Sequence, residues 1–82
     1  MSAAENYLRD VIPLLIERAT EARNQRDAAR REGNSERSSF ESGRSLAYYE
    51  VVSAVVGRLS VYGLDAAALG VPGDFNADRE LA

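Results

Sequence analysis

The chain has 82 residues with a formal net charge of −3: ten arginines and no lysine stand against thirteen acidic residues, and histidine, cysteine and tryptophan are absent. This composition excludes disulfides, thiol and imidazole catalysis, and zinc sites built from cysteine or histidine. Only carboxylate and carbonyl oxygens remain to hold a metal. We therefore expect no enzyme activity, cofactor or metal. The length of 82 residues indicates a single domain.

The first predicted element is a helix over residues 3–32. Ser2 and Glu5 have the spacing of a capping box. Apolar and small residues then follow at alternating steps of four and three, the heptad period: Leu8, Ile12, Leu15, Ala19, Ala22 and Ala29, with Arg26 in the same row. Pro13 interrupts this pattern, because proline removes a helical hydrogen bond. Either one helix kinks at Pro13, which we favour, or the helix begins at Asp10 as N-cap.

The second predicted helix covers residues 36–62. Gly33 and Asn34 form a stop signal for the first helix, and Ser38 with Glu41 has the spacing of another capping box. The segment 51–56 is rich in valine, which also suits a strand. We predict helix there, since no other segment supplies a partner strand and a hairpin turn.

Glycines and a proline punctuate the rest of the chain. Gly63 ends the second helix, a short helical turn is predicted over residues 65–69 with Asp65 as its N-cap, and Gly70 stops it. Residues 71–74 have the composition of a type II turn. The polar tail over residues 74–82 is expected to be frayed.

Between Leu46 and Leu59 the second helix is apolar on most of its circumference, which is typical of a helix surrounded by others. We therefore predict an all-α protein, an antiparallel helical hairpin that dimerises into a four-helix bundle with the second helices at its centre. The expected dimer interface comprises Leu46, Tyr48, Tyr49, Val52, Val55, Val56, Leu59 and Tyr62. Two alternatives stay open: a monomer in which Leu64, Leu69, Val71 and Phe75 fold back over this surface, or a complex with another protein.

An arginine-rich stretch near the end of the first helix suggests a second, basic surface. Its members are Arg23, Arg26, Arg30, Arg31 and Arg37. Phosphate binding needs clustered positive charge, but acidic residues are interspersed here at helical spacing and favour a solvated face with local ion pairs. We therefore favour a solvated face over a nucleic-acid site. No run of roughly 18 apolar residues indicates a membrane span. We expect a cytoplasmic protein.

The block Gly43-Arg44-Ser45-Leu46-Ala47-Tyr48-Tyr49-Glu50-Val51 resembles the G-R-x-x-A-Y-Y-E-V core of a group of small uncharacterised bacterial helical-hairpin proteins. The resemblance implies a helical hairpin and carries no activity with it. The expected function is a homodimeric interaction or scaffold module, with an unidentified protein as a possible further partner. The alternative is a small regulator that binds nucleic acid, or a DNA-binding partner, through the arginine-rich end of the first helix.

Overall fold

The computed structural model describes all 82 residues and contains two long helices joined by two residues. Helix α1 spans Ala3–Glu32 and helix α2 spans Ser35–Leu59. Two 3₁₀ turns at Ser60–Tyr62 and Ala67–Leu69 and a short helix α3 at Ala77–Glu80 complete the chain. The prediction of an all-α protein built on a helical hairpin is confirmed. The molecule measures 46 × 20 × 16 Å.

Helix α1 begins and ends at local signals in its sequence. The Ser2 hydroxyl accepts a hydrogen bond from the Glu5 amide (3.1 Å), and the Glu5 carboxylate accepts one from the Ser2 amide (3.3 Å). At the other end, Gly33 adopts a left-handed conformation (φ 72°) and donates its amide to the Arg30 carbonyl. The helix runs unbroken through Pro13, so a start at Asp10 is wrong.

Helix α2 begins one turn before the predicted capping box. Asn34 is the N-cap, and its side-chain oxygen accepts a hydrogen bond from the Arg37 amide (3.0 Å). Ser38 and Glu41 consequently lie inside the helix, and their assignment as a capping box is wrong. The valine-rich segment 51–56 is helical. Beyond Leu59 the backbone tightens into the 3₁₀ turn before Gly63 reverses it with φ 69°.

The chain after α2 folds back along the hairpin, and we call residues 64–82 the C-terminal segment. Its apolar side chains complete two small cores between α1 and α2. One contains Ile12, Leu59, Leu69 and Val71, and the other contains Ala19, Val52 and Leu81. The expectation of a frayed tail is wrong, because Leu81 is 1% exposed. Asn76 also caps helix α3, accepting a hydrogen bond from the Arg79 amide (3.0 Å).

The C-terminal segment approaches α1 most closely where Gly70 meets Pro13. Proline has no amide hydrogen, so the Arg9 carbonyl lacks its usual helical donor on this side of α1. A Cβ atom at Gly70 would lie 2.5 Å from Pro13 Cγ and 3.7 Å from the Arg9 carbonyl oxygen. Gly70 also has φ 87°. The residue predicted to stop a helix is therefore also the one that allows this close contact.

The turn that follows differs from the predicted type II turn over residues 71–74. A type II turn there would give Gly73 a positive φ, yet Gly73 is not among the glycines with positive φ. Instead the Phe75 amide donates to the Pro72 carbonyl (3.0 Å). The turn is shifted by one residue, with Gly73 and Asp74 at its centre, and the type II prediction is wrong.

Candidate interaction surface

The C-terminal segment covers one side of the helical hairpin and is held there by polar contacts as well as by its apolar side chains. The Arg23 guanidinium donates to the Glu80 carbonyl (2.5 Å), and the Arg26 guanidinium donates to the Ala82 carbonyl (3.3 Å). On α2, the Tyr49 hydroxyl donates a hydrogen bond to the carboxylate of Asp78. Phe75 and Ala77 pack against the core that contains Val52.

The contact between Tyr49 and Asp78 predicts a specific response to alkaline pH. Hydrogen bonding to the Asp78 carboxylate raises the pKa of Tyr49 above its ordinary value of 10.0. A raised pKa means that the folded chain binds this proton more tightly than the unfolded chain does. The contact therefore stabilises the fold fully below pH 10 and less as pH rises through the raised pKa.

A titration of tyrosinate absorbance on the folded protein tests this contact. We expect a late ionisation phase that Tyr49→Phe removes and that Asp78→Asn moves to lower pH. Asp74→Asn, which changes an acid of the same segment that does not contact Tyr49, should leave the late phase in place. A late phase that survives Tyr49→Phe would contradict the assignment.

The arginines predicted as a partner or nucleic-acid face are mostly engaged within the chain. Arg23 and Arg26 hold the C-terminal segment, and Arg30 donates to the Ser42 hydroxyl (3.4 Å). Arg37 donates to the Glu32 carboxylate (2.5 Å) and the Gln25 side-chain oxygen (2.7 Å). Arg31 alone of the five has no side-chain partner. The structure thus uses four of these arginines to join the elements of the fold.

Asp27 lies at the centre of the positive charges of α1. Desolvation acts to raise the pKa of this carboxyl group, but the hydrogen bond from Arg26 Nε (3.1 Å) acts in the opposite direction. The positive charges of Arg26, Arg23 and Arg30 lower the pKa further, so that the net shift is downward. The arginine-rich stretch is therefore partly neutralised by its own acid.

The residues predicted as a dimer interface fall into three groups in the structure. Val52 and Leu59 are 1% and 5% exposed and belong to the cores within one chain, so their assignment to an interface is wrong. Tyr48, Tyr49, Val55 and Val56 are half-buried at the edges of these cores. Leu46 and Tyr62 remain free, with exposed fractions of 56% and 77%. The difference arises because α1 and the C-terminal segment take up the inner face of α2.

On the other side of the hairpin, α1 and α2 leave an open apolar groove of about 350 Å³. It is lined by Leu15, Arg44, Ala47, Tyr48 and Val51, and its accessible wall consists of apolar atoms. The Arg44 guanidinium lies over the Tyr48 ring, 5.6 Å from its centroid. No residue of the C-terminal segment lines the groove. The fold-back foreseen as an alternative therefore occurs, but it covers one side only.

The groove continues along α2 as a row of exposed side chains. Phe40, Ala47, Val51, Ala54 and Arg58 follow one another at steps of three, four or seven residues, which places them on one face of the helix. Phe40 is 68% exposed and Val51 is 47% exposed. We call this row, together with Leu15, Arg44 and Tyr48, the open face. The sequence patterns did not identify Leu15, Phe40 and Val51 as parts of one surface, although Phe40, Ala47 and Val51 have helical spacing.

Other cavities are smaller or more polar. A cleft of about 310 Å³ between Ser53, Gly57 and Asn76 lies at the edge of the C-terminal segment. The hydroxyls of Ser45 and Ser53 are buried without a hydrogen-bond partner. The acidic side chains form no cluster of three that could hold a metal ion. Neither long helix has a stretch apolar enough to cross a membrane.

The sequence matches no protein-family model, and comparison with the curated proteins and with the solved structures yields no match either. The resemblance to small bacterial helical-hairpin proteins rests on its motif alone and stays a prediction. Function must therefore be inferred from the surface that the fold leaves open.

Proposed function

We propose that the chain is a non-enzymatic interaction module that acts as a homodimer, with the open faces of two copies packed against each other and the two α2 helices adjacent. The groove lined by Leu15, Ala47, Tyr48 and Val51 is the observation that carries this proposal. Its apolar wall is exposed although the same chain has a segment of 19 residues that covers the opposite side. The two hairpins together would form a four-helix arrangement.

The energetics of such a small fold favour association. Burying apolar surface stabilises by roughly 25 cal/mol per Å², and a chain of this size buries a smaller share of its surface than a larger domain does. The two cores contain only seven buried apolar side chains between them. Contact between two open faces would bury Phe40 and Val51, which are exposed in the single chain. Exposed apolar surface of this kind commonly marks a protein–protein contact.

The chemistry of the side chains supports a binding role rather than a catalytic one. The groove offers one charged group, Arg44, and this group is occupied by the Glu41 carboxylate (3.3 Å) and by the Tyr48 ring. The other residues that line the groove are Leu15, Ala47, Tyr48 and Val51, none of which has a carboxylate. The sequence, having no histidine, cysteine or lysine, supplies few of the groups that enzymes use for proton transfer or covalent catalysis.

Size-exclusion chromatography with light scattering tests the proposal. We expect a mass near twice the chain mass of 8.9 kDa, with dissociation on dilution. A chain that stays monomeric and fully helical at the highest attainable concentration would overturn the homodimer. Addition of a duplex oligonucleotide should leave the mass unchanged at all salt concentrations. A complex that weakens steeply with salt would instead favour the nucleic-acid alternative.

A further inference from the structure

We infer that the two α2 helices pair antiparallel, with the two-fold axis at Ala47, so that Glu36 of each copy faces the partner's Arg58. This inference rests on the proposed homodimer and specifies how its second copy is seated. It derives from the positions of charged, large and small residues along the exposed side of α2.

The exposed row on α2 runs from the first turn of the helix to the last. Helix α2 spans Ser35–Leu59, and Ala47 is its central residue. Glu36 extends the row by one turn at its start, so that it comprises Glu36, Phe40, Ala47, Val51, Ala54 and Arg58, all of them exposed. Their spacing in a helix of 3.6 residues per turn places them within one narrow strip. The strip is about 33 Å long, at 1.5 Å per residue, and its two ends carry opposite charges.

In a symmetric antiparallel pair, residues equally distant from the axis lie at the same level. Glu36 and Arg58 are each eleven positions from Ala47, and Phe40 and Ala54 are each seven positions from it. An axis at Ala47 therefore brings an acid to a base and a large side chain to a small one. By symmetry each of these contacts occurs twice. Ala47 lies opposite the partner's Ala47, where a small side chain lets the two helices come close.

The charges select the antiparallel direction. Neither Glu36 nor Arg58 forms an ion pair within its own chain. A parallel pair would place Glu36 beside its own copy and Arg58 beside its own copy, and like charges at a contact are unfavourable. An antiparallel pair joins opposite charges at both ends. It also sets the positive end of each helix dipole beside the negative end of the other.

The other side chains of the row are compatible with this contact. Phe40, which is 68% exposed, would lie over the partner's Ala54, where no large side chain competes for the space. Arg44 is drawn to one side by the Glu41 carboxylate and the Tyr48 ring, and so does not separate the two helices. Val51 adds an apolar side chain next to the axis.

Charge reversal and exchange test this register by sedimentation equilibrium. We expect Glu36→Arg alone and Arg58→Glu alone each to weaken dimerisation about tenfold or more, because each creates two repulsive pairs per dimer. The double variant Glu36→Arg/Arg58→Glu should recover affinity to within about threefold of the original, since the pairs are restored with their signs exchanged.

The double variant separates dimer contacts from helix stability. Glu36 lies in the first turn of α2 and Arg58 in the last, where each favours its own helix dipole. The exchange reverses both effects, so recovery of dimerisation cannot come from a more stable helix. Arg31→Glu, at an exposed arginine outside the row, should leave the dimer unchanged, and circular dichroism should show similar helicity throughout.

The outcomes distinguish the register from the homodimer itself. The register is wrong if both single reversals leave the dimer intact, or if the double variant fails to restore it. Neither result contradicts the proposed homodimer itself. A monomeric original chain overturns both. Dimerisation that is lost in each single variant and restored in the double variant establishes the antiparallel pairing.

Discussion

Replacing Gly70 by alanine is expected to destabilise the fold by about 2–5 kcal/mol. Two independent effects add. A non-glycine residue in the left-handed conformation, which Gly70 adopts with φ 87°, costs roughly 1–2 kcal/mol. The new Cβ would also lie 2.5 Å from Pro13 Cγ, and relief of such a contact by backbone movement costs about 1–3 kcal/mol. The Pro13 Cγ atom belongs to a ring that is closed on the backbone nitrogen of α1, so it cannot rotate away as a flexible side chain could.

Gly63→Ala is the matched control for this substitution. Gly63 has φ 69° at the end of the other 3₁₀ turn, but a Cβ there meets nothing within 4 Å. This variant should lose only the conformational part, about 1–2 kcal/mol. Urea unfolding followed by circular dichroism measures both free energies. Equal losses at the two positions would show that the approach of Gly70 to Pro13 carries no energy of its own.

The contact between Pro13 and Gly70 also shows which features of the fold could be predicted from the sequence. Gly70 gave a correct local signal, since it ends a helical turn, and the first helix continues through Pro13 as one element. Their contact joins positions 57 apart in the chain, and local patterns carry no information about such a distance. Only the folded hairpin shows that Gly70, which has no side chain, lies against the ring of Pro13.

The same limit explains two wrong predictions, namely that the core residues of α2 form a dimer interface and that the tail is frayed. The heptad row of α1 supplies Ile12, Ala19 and Ala29 to the interior, as the alternating steps of four and three indicated. Between Leu46 and Leu59 helix α2 is apolar on most sides, so its periodicity could not decide which face α1 would take. The tail, in turn, has only one large apolar residue after Phe75, namely Leu81. Its burial depends on a cleft that exists only once both long helices have packed.

The buried face of α2 is the basis of the second large expected effect. Val52→Asp should unfold the chain or destabilise it by at least about 3–5 kcal/mol, because it places an unpaired carboxylate in the core. Val52 is 1% exposed and packs with Ala19 and Leu81. Loss of helical circular dichroism, or a large fall in the urea midpoint, is the measurement.

Val51→Asp makes the same chemical change one residue earlier and should act on association alone. Val51 is 47% exposed in the single chain, so an aspartate there stays hydrated and the hairpin should remain folded within about 0.5 kcal/mol. In the proposed dimer the same carboxylate would be buried between two α2 helices near their axis, where an unpaired charge is strongly unfavourable. The expected result is a folded monomer by light scattering. A folded dimer would move the interface away from the open face, and an unfolded chain would show that α2 needs both of its apolar faces for stability, so that folding and dimerisation are one event.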